Sequence, residues 1–443
     1  MMFLSSALVF ASALLPLAQL QPAASQSAAP KAQRALLELY HVAGNVTDDR
    51  LGYALALLED LDGDGTPEIL VGLPNRDPHY AQKGHAWVVS GATGAVLRVH
   101  DGTNGGDRFG RAVAMYPDLD HDGVAEYAVG ATWALDPPNG NGASYPGTAT
   151  IFSGATGAQY MVLAGYVANE CFGGGLAGLN DVNGDGQGDF VVGSRYGGNI
   201  GGIEVTAPGK VRTFSGLTNQ VIGEISGSFP GDFLAGEATI AMGDLDADGA
   251  IDVASGAWGY PNNTAKGQVF LISTAKNAVL RTMEGEAAGD HFGWSLAMLP
   301  DVDGDSVPDV MVGAPWWGVD DRGRAYIYSS ATGALLRTFT GSNPNEHLGY
   351  SVGSVGDQDG DGVADWAVGA PFYFSETGRA VIISGATDAV LANVSGSATG
   401  ERFGYAFLEV PDLNADGKPE IAIGATGWPA GQSMGRMTVF ATH

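Results

Sequence analysis

From residue 35 onward, apolar residues recur in short runs separated by glycine-rich or acidic turns, and one unit of this pattern repeats along the chain. The fifth unit shows it most clearly. Phe292-Gly293-Trp294-Ser295-Leu296-Ala297-Met298 alternates and reads as a first strand. Val310-Met311-Val312-Gly313 reads as a second, and Arg324-Ala325-Tyr326-Ile327-Tyr328-Ser329 as a third. After a turn at Ala331-Thr332-Gly333, Leu335-Leu336-Arg337-Thr338-Phe339 reads as a fourth. Short alternating runs bounded by turn residues are strand signals, and no segment after the first 34 residues keeps a helical period. Four short strands per unit predict the blade of a β-propeller.

An acidic loop follows the first strand of every unit. The seven loops start at Asp60, Asp118, Asp181, Asp244, Asp301, Asp357 and Asp412, spaced 55–63 residues apart. A near-fixed period of this kind marks a repeat architecture. The predicted fold is all-β: a seven-bladed β-propeller of four-stranded antiparallel blades. The last unit stops after its third strand, Gly435-Arg436-Met437-Thr438-Val439-Phe440, close to the end at His443. At the other end, Ala35-Leu36-Leu37-Glu38-Leu39-Tyr40 resembles the fourth strand Ala334-Leu335-Leu336-Arg337-Thr338-Phe339. This N-terminal strand is expected to complete blade seven, which removes an open sheet edge.

Each loop places oxygen-bearing side chains at positions 1, 3, 5 and 9. They are Asp60, Asp62, Asp64 and Glu68 in the first loop, and Asp118, Asp120, Asp122 and Glu126 in the second. The third has Asp181, Asn183, Asp185 and Asp189; the fourth has Asp244, Asp246, Asp248 and Asp252. Asp301, Asp303, Asp305 and Asp309 form the fifth, Asp357, Asp359, Asp361 and Asp365 the sixth, and Asp412, Asn414, Asp416 and Glu420 the seventh. Glycine stands at position 6 except in the fifth loop, where Ser306 replaces it. Like charges this close need a cation, and hard oxygen donors on a tight turn suit Ca²⁺. Up to seven calcium sites are expected. An EF-hand does not fit, because it needs a glutamate at position 12 between two helices, and position 12 of the first loop is Val71 in an apolar run.

Charge and composition sharpen this picture. The 443 residues carry a formal charge of −28, and the loops hold 26 of the 49 acidic residues. Seven calcium ions would halve the deficit, so metal binding accounts for much of the acidity. No basic stripe exists to neutralise phosphates, which argues against nucleic acid as a partner. The single cysteine, Cys171, excludes an intramolecular disulfide and reads as a small buried hydrophobe. Residues 1–25 have the profile of a secretory signal, with Ala23 and Ser25 suiting a cleavage site, and residues 26–34 read as a flexible lead-in. An uncleaved anchor is the alternative for the leader, and no transmembrane span is expected after it. The propeller is assigned to residues 35–443, in a secreted or cell-surface setting.

Two further motifs recur in phase with the loops. One is a Phe-Gly-like pair opening each unit: Leu51-Gly52, Phe109-Gly110, Phe172-Gly173, Phe233-Leu234, Phe292-Gly293, Leu348-Gly349 and Phe403-Gly404. The other is a Gly-Ala-Pro-like triplet after the second strand, clearest at Gly313-Ala314-Pro315 and Gly369-Ala370-Pro371. The chain therefore resembles the FG-GAP repeat family, best known from the N-terminal propellers of integrin alpha chains. The resemblance covers about residues 35–443. It implies that the acidic loop joins strands one and two and binds calcium, although several integrin blades lack the loop and all seven blades have it here. Blade four departs from the pattern, with Leu234 where glycine is expected and two extra residues before Asp244. No leg domain or membrane helix is read after the propeller, so integrin function is not expected to transfer unaltered.

In such a blade the one–two and three–four loops share one face, and the two–three and four–one loops share the other. The variable two–three loops therefore lie opposite the acidic loops. They hold Trp133, Tyr145, Tyr196, Trp258, Tyr260, Trp316, Trp317, Phe372, Tyr373, Phe374 and Trp428. Aromatic residues on loops held by a rigid scaffold suit recognition of an extracellular protein or glycan. No nucleophile elbow, zinc motif or phosphate loop is present. His291 and His347, just before their pairs, read as polar contacts between blades, together with the nearby acids Asp107, Asp290, Glu346 and Glu401. The leading expectation is a calcium-binding adhesion-type module without enzymatic activity. The alternatives are an extracellular polysaccharide lyase or hydrolase on a propeller scaffold, and a structural module of a surface assembly.

Overall fold

A computed structural model describes residues 36–75, 83–134, 146–167, 170–195, 207–261, 264–429 and 431–442. The expected leader and lead-in lie outside these residues, as do Tyr145 and Tyr196.

The described strands form seven antiparallel sheets of four. Blade one runs Ala54–Leu57, Ile69–Leu73, His85–Val89 and Val96–Asp101 in simple up-and-down order. Blades two to six repeat that order. Blade seven takes Phe403–Val410, Glu420–Ala425 and Arg436–Thr442 from the C-terminal end and its outer strand, Leu36–Ala43, from the N-terminal end. Leu36 pairs with Thr442 and Ala43 with Arg436, so the ring closes as the sequence pattern predicts. A single tight turn at Tyr373–Glu376, with positive φ at Phe374, Ser375 and Glu376, is the sole departure from β-structure among the described elements.

Burial follows position in the blade. Second strands such as Ile69–Leu73 and Asp309–Ala314 are buried at every residue, because each is a middle strand covered on both faces by neighbouring blades. Outer strands such as Val96–Asp101 alternate between exposed and half-buried positions, because one edge meets solvent. The apolar core is accordingly divided into seven layers, each lying between two adjacent blades. The layer between blades two and three, for example, joins Tyr116 and Ile151 to Phe172, Phe190 and Phe214.

The recurring pair sets the distance between blades. Phe109, Phe172, Phe292 and Phe403 each wedge into the layer shared with the preceding blade, as do Leu51 and Leu348. The glycine beside each has positive φ and faces the triplet glycine of that preceding blade. A methyl group on Gly72, Gly313 or Gly369 would stand 1.9–2.1 Å from the carbonyl oxygen of Gly110, Gly349 or Gly404. Two backbones at that separation admit no Cβ. The crossing also delays the first strand: in blade five it begins at Ser295 rather than Phe292, and Phe292 instead bridges Gly267 of blade four.

Blade four corrects the sequence frame. Leu234, not Phe233, is the residue packed in the layer between blades three and four. Ala235 takes the positive-φ place of the glycine, at φ 57°, and Phe233 takes the place of Arg108, His291 and Arg402, all with φ near 55°. The pair is therefore Leu234-Ala235. One of the two apparent extra residues disappears with this shift. The other is absorbed by a register irregularity between Leu234 and Thr239.

Candidate functional site

The acidic loops share one construction. The position 1 carboxylate caps the turn from within: Asp60 accepts from the Gly63 and Gly65 amides at 2.7 and 2.8 Å, and Asp301 from Gly304 and Ser306 at 2.6 and 2.7 Å. Position 6 needs positive φ for this, and Ser306 adopts 71° where the other loops use glycine. The position 9 carboxylate is buried and accepts from the position 2 amide in all seven loops, as with Val182 to Asp189 at 2.9 Å and Val302 to Asp309 at 2.8 Å.

The second oxygen of position 9 divides the loops in a way the sequence pattern did not reveal. Where the residue is Asp in loops three to six, that oxygen accepts from an amide of the three–four turn: Gly216, Thr274, Ser330 or Gly385 at 2.8–3.3 Å. Where it is the longer Glu in loops one and two, Oε1 of Glu68 and of Glu126 is buried without a hydrogen-bond partner. Those are also the loops in which all four carboxylates bring an oxygen within 4.8 Å of one another. Asp244, Asp246 and Asp248 converge similarly in loop four, Asp301, Asp303 and Asp309 in loop five, and Asp357, Asp359 and Asp361 in loop six. In loops three and seven Asn183 and Asn414 turn an amide nitrogen toward Asp185 and Asp416, at 2.9 and 3.2 Å, in place of a further anionic oxygen.

The electrostatics fit a cation. Burial first, then repulsion from Asp62, Asp60 and Asp64, pushes Glu68 up to about 7, and Glu126 behaves the same way. Burial likewise lifts Asp252, Asp309 and Asp365 to about 6, with the neighbouring carboxylates adding to it. A divalent ion among these groups would reverse the penalty. The donors are all hard oxygens, as calcium prefers.

The opposite face carries most of the expected aromatic residues, sorted into two sets. The first set forms a crescent over blades four to six. Phe233 stacks on Trp258 with ring centroids 4.3 Å apart, Trp258 meets His291 at 5.1 Å, and His291 meets Trp316 at 4.4 Å. Trp316 meets His347 at 5.3 Å, which meets Phe372 at 5.2 Å. Burial lowers both histidines, His291 to about 4, so they serve this surface as neutral rings. The second set lies flat in its own blade beneath arginines. Arg108 covers Trp133 at 3.3 Å, Arg324 covers Trp317 at 3.4 Å, and Arg379 and Arg436 lie 4.8 and 5.3 Å from Tyr373 and Trp428. Tyr260 packs on Phe229, whereas Phe374 is 76% exposed at the tip of its loop.

The crescent leads into a hub that sequence reading missed. Tyr53, Arg111, Gly174, Glu237, Trp294, Tyr350 and Tyr405 project from the first strands around a central cavity of about 250 Å³. Arg111 donates to both oxygens of Glu237 at 2.5 Å and to the Tyr53 hydroxyl at 2.9 Å. The Tyr350 and Tyr405 hydroxyls bond at 2.9 Å, and Trp294 joins hub to crescent at 4.9 Å from Trp316. Counting back from each acidic loop finds this ring, since every member precedes the first aspartate of its loop by the same interval; counted from the recurring pair, Glu237 falls one residue out of step because of the extra residue that follows Leu234-Ala235.

The buried acids before each pair have a more local role than contact between blades. Asp107 accepts from the Asn104 amide at 2.7 Å and Asp290 from Ala287 at 2.7 Å, pinning the four–one loop. The longer Glu170, Glu346 and Glu401 also reach Arg212, Arg379 and Arg436 on the third strand of their own blade.

Fold and sites define a seven-bladed β-propeller built from FG-GAP repeats, resembling the N-terminal domain of integrin alpha chains. The FG-GAP repeat family model matches residues 51–89 and 292–328. Integrin alpha-PS2 of Drosophila melanogaster is 30% identical over 212 residues, 42% of this chain and 15% of that protein. Human integrin alpha-11 is 32% identical over 186 residues, 38% of this chain and 16% of its own length. Human integrin alpha-IIb is 27% identical over 208 residues, 43% of this chain and 20% of its length. The matched region thus spans a fifth or less of each of these relatives. Among solved structures, one described as BBS1N in complex with ARL6DN, soaked with lead, shares the fold with a TM-score of 0.53 at 12% identity, covering 92% of this chain and 97% of that one. No helix among the described residues is long and apolar enough to cross a membrane.

Proposed function

We propose that this chain is an extracellular, calcium-binding propeller of adhesion type, which takes a protein or glycan partner on the face of its two–three and four–one loops. The crescent of Trp258, His291, Trp316, His347 and Phe372 carries this reading. Its rings are half-buried and packed on one another across neighbouring blades, tilted or edge against face, so their ordering cost is met before a partner arrives. Likeness to integrin alpha chains and the signal-like residues 1–25 support a secreted or surface-bound protein, with a lead-in at 26–34 and the propeller at 35–443. On this reading the chain binds and does not catalyse.

Calcium serves the scaffold. Held by the carboxylates at positions 1, 3 and 5, with position 9 behind them, it would lock each one–two loop on the face away from the partner. Glycan and extracellular-protein arrays probed with the purified propeller test the assignment. Binding in calcium should be lost on Trp316→Ala or Phe372→Ala at temperatures where each variant is still fully folded, as its own melting curve shows. Binding insensitive to both substitutions, or none on either array, would remove the crescent as the ligand face.

A further inference from the structure

Blade four differs from the others at the turn that faces its acidic loop. The three–four turns of blades one, two, three, five and six place Thr93, Thr156, Thr218, Thr332 and Thr387 at the same position, three residues after a serine. Each of these threonine amides donates to the serine Oγ at 3.1–3.3 Å. In blade four the residue is Lys276, whose amide makes the same bond to Ser273 Oγ at 3.3 Å. The backbone is therefore unchanged and only the side chain differs. That side chain crosses to the acidic loop, where Nζ lies 2.7 Å from Asp246 Oδ2 and 3.4 Å from Asp248 Oδ2. These are positions 3 and 5 of the loop, both largely covered, whereas the lysine stem is about half exposed.

We infer that Lys276 is a built-in cation for blade four: its ammonium takes the charge-neutralising role that calcium is proposed to play in the other loops, and it weakens this one loop for metal. This rests on the calcium reading above. An ammonium offers three donors and one positive charge in a compact head, enough to bridge two carboxylates. A calcium ion entering the same loop would need oxygens that the ammonium already holds and would meet a like charge next to it. The sister blades act as internal controls, since their threonine carries no charge and the turn reaches Asp185 and Asp305 with a neutral hydroxyl, of Ser215 at 2.8 Å and of Ser329 at 3.4 Å. Blade four also carries the atypical Leu234-Ala235 pair, so the unit that departs most from the repeat has a clip that does not depend on the metal supply.

Calcium counting by native mass spectrometry, with titration calorimetry in parallel, tests this on the full chain and on Lys276→Thr, the residue of the sister blades. The wild type should fill one site at a calcium concentration at least tenfold above the rest, and Lys276→Thr should bring that site into line. In EDTA, Lys276→Thr should melt below the wild type, and calcium should restore it. Lys276→Met separates loss of charge from gain of a hydroxyl and should behave as Lys276→Thr does. Identical counts and affinities for wild type and both variants would overturn the inference while leaving the calcium reading in place. Absence of calcium binding in every protein would instead overturn the calcium reading.

Discussion

Arg111 of blade two reaches past blade three to chelate Glu237 of blade four, two residues 126 apart in sequence that meet at the propeller hub. The span is open because the hub position of blade three is Gly174, which has no side chain to obstruct it. Glu237 also lies 3.6 Å from Arg195, so one carboxylate serves two guanidinium groups. All three side chains are largely buried, at 12–17% exposure. Breaking a buried pair from one side leaves an uncompensated charge and costs about 3–5 kcal/mol. Glu237→Met should reach that range because it strands two arginines. Arg111→Met should cost less, about 2 kcal/mol, since Arg195 still faces the glutamate. Denaturant unfolding of both variants checks the order, and a larger loss for Arg111→Met would contradict it.

Ser306 stands where six loops have glycine, and it holds φ 71° there. A left-handed backbone costs a non-glycine residue about 1–2 kcal/mol, while glycine loses about 0.5–1 kcal/mol more chain entropy on folding. The difference favours Ser306→Gly by up to about 1 kcal/mol. Ser306→Val, which adds a β-branch at the same φ, should destabilise by about 2 kcal/mol or more. Thermal melts in calcium would show the two shifts in opposite directions; a drop for the glycine variant would mean that the serine side chain contributes something beyond its backbone.

Legibility in the sequence followed the range of each interaction. The acidic loops and the blade count were readable because each depends on spacing within one unit, and the closing strand because residues 35–40 look like the fourth strand that the last unit lacks. The frame of blade four was misread because Phe233 supplied an aromatic ring where the repeat expects one. The acid two residues before each pair is the better marker: Asp49, Asp107, Glu170, Asp232, Asp290, Glu346 and Glu401 keep that spacing in every blade, and counting from Asp232 leads to Leu234. The fate of the expected ligand-face residues was not readable. Trp316 and Trp317 are neighbours in sequence, yet one joins the crescent and the other lies under Arg324, because the arginine comes from the third strand and the crescent from adjacent blades. Contacts such as Arg111 with Glu237, or Lys276 with Asp246, exist only once strands are in register and the ring has closed.

The loops should differ in metal affinity. Loops one and two gather four carboxylates and leave Glu68 Oε1 and Glu126 Oε1 without a protein partner. Loops three and seven replace one carboxylate by an amide that turns its nitrogen inward. Extracellular calcium sites of this kind have Kd near ~10⁻⁴–10⁻³ M, set by charge count and rigidity. Glu68→Gln should therefore remove one of the tightest sites, whereas Asp181→Ala should remove one of the weakest. At about millimolar calcium each filled site contributes on the order of 1 kcal/mol, so EDTA should lower the melting temperature by far more than any single variant does. Calorimetric titration of the two variants ranks the loops, and an unchanged melt in EDTA would exclude calcium from the scaffold altogether.

The metal-free protein should gain stability as pH falls from 8 to about 6.5. Glu68 and Glu126 are raised to about 7, and Asp252, Asp309 and Asp365 to about 6, chiefly by burial. A carboxylate whose folded value lies above its unfolded one binds more protons when folded, so its stabilising contribution is complete below the unfolded value near 4 and is lost as pH rises through the folded value. Lowering pH from 8 therefore helps first through the two glutamates. Below about 6.5 the buried histidines work the other way. Burial holds His100 and His291 near 4, and the folded protein resists protons that the unfolded chain accepts at about 6.5. The histidines offset part of the further gain without cancelling it, because the two glutamates and three aspartates outnumber them. Calcium keeps the carboxylates ionised, so it should abolish the rise between pH 8 and 6.5, and its binding near pH 6.5 should release protons. Melting temperatures across this range in EDTA and in calcium, with calorimetry in two buffers of different ionisation enthalpy, measure both effects. Parallel curves in EDTA and calcium would show that the position 9 carboxylates are not coupled to the metal.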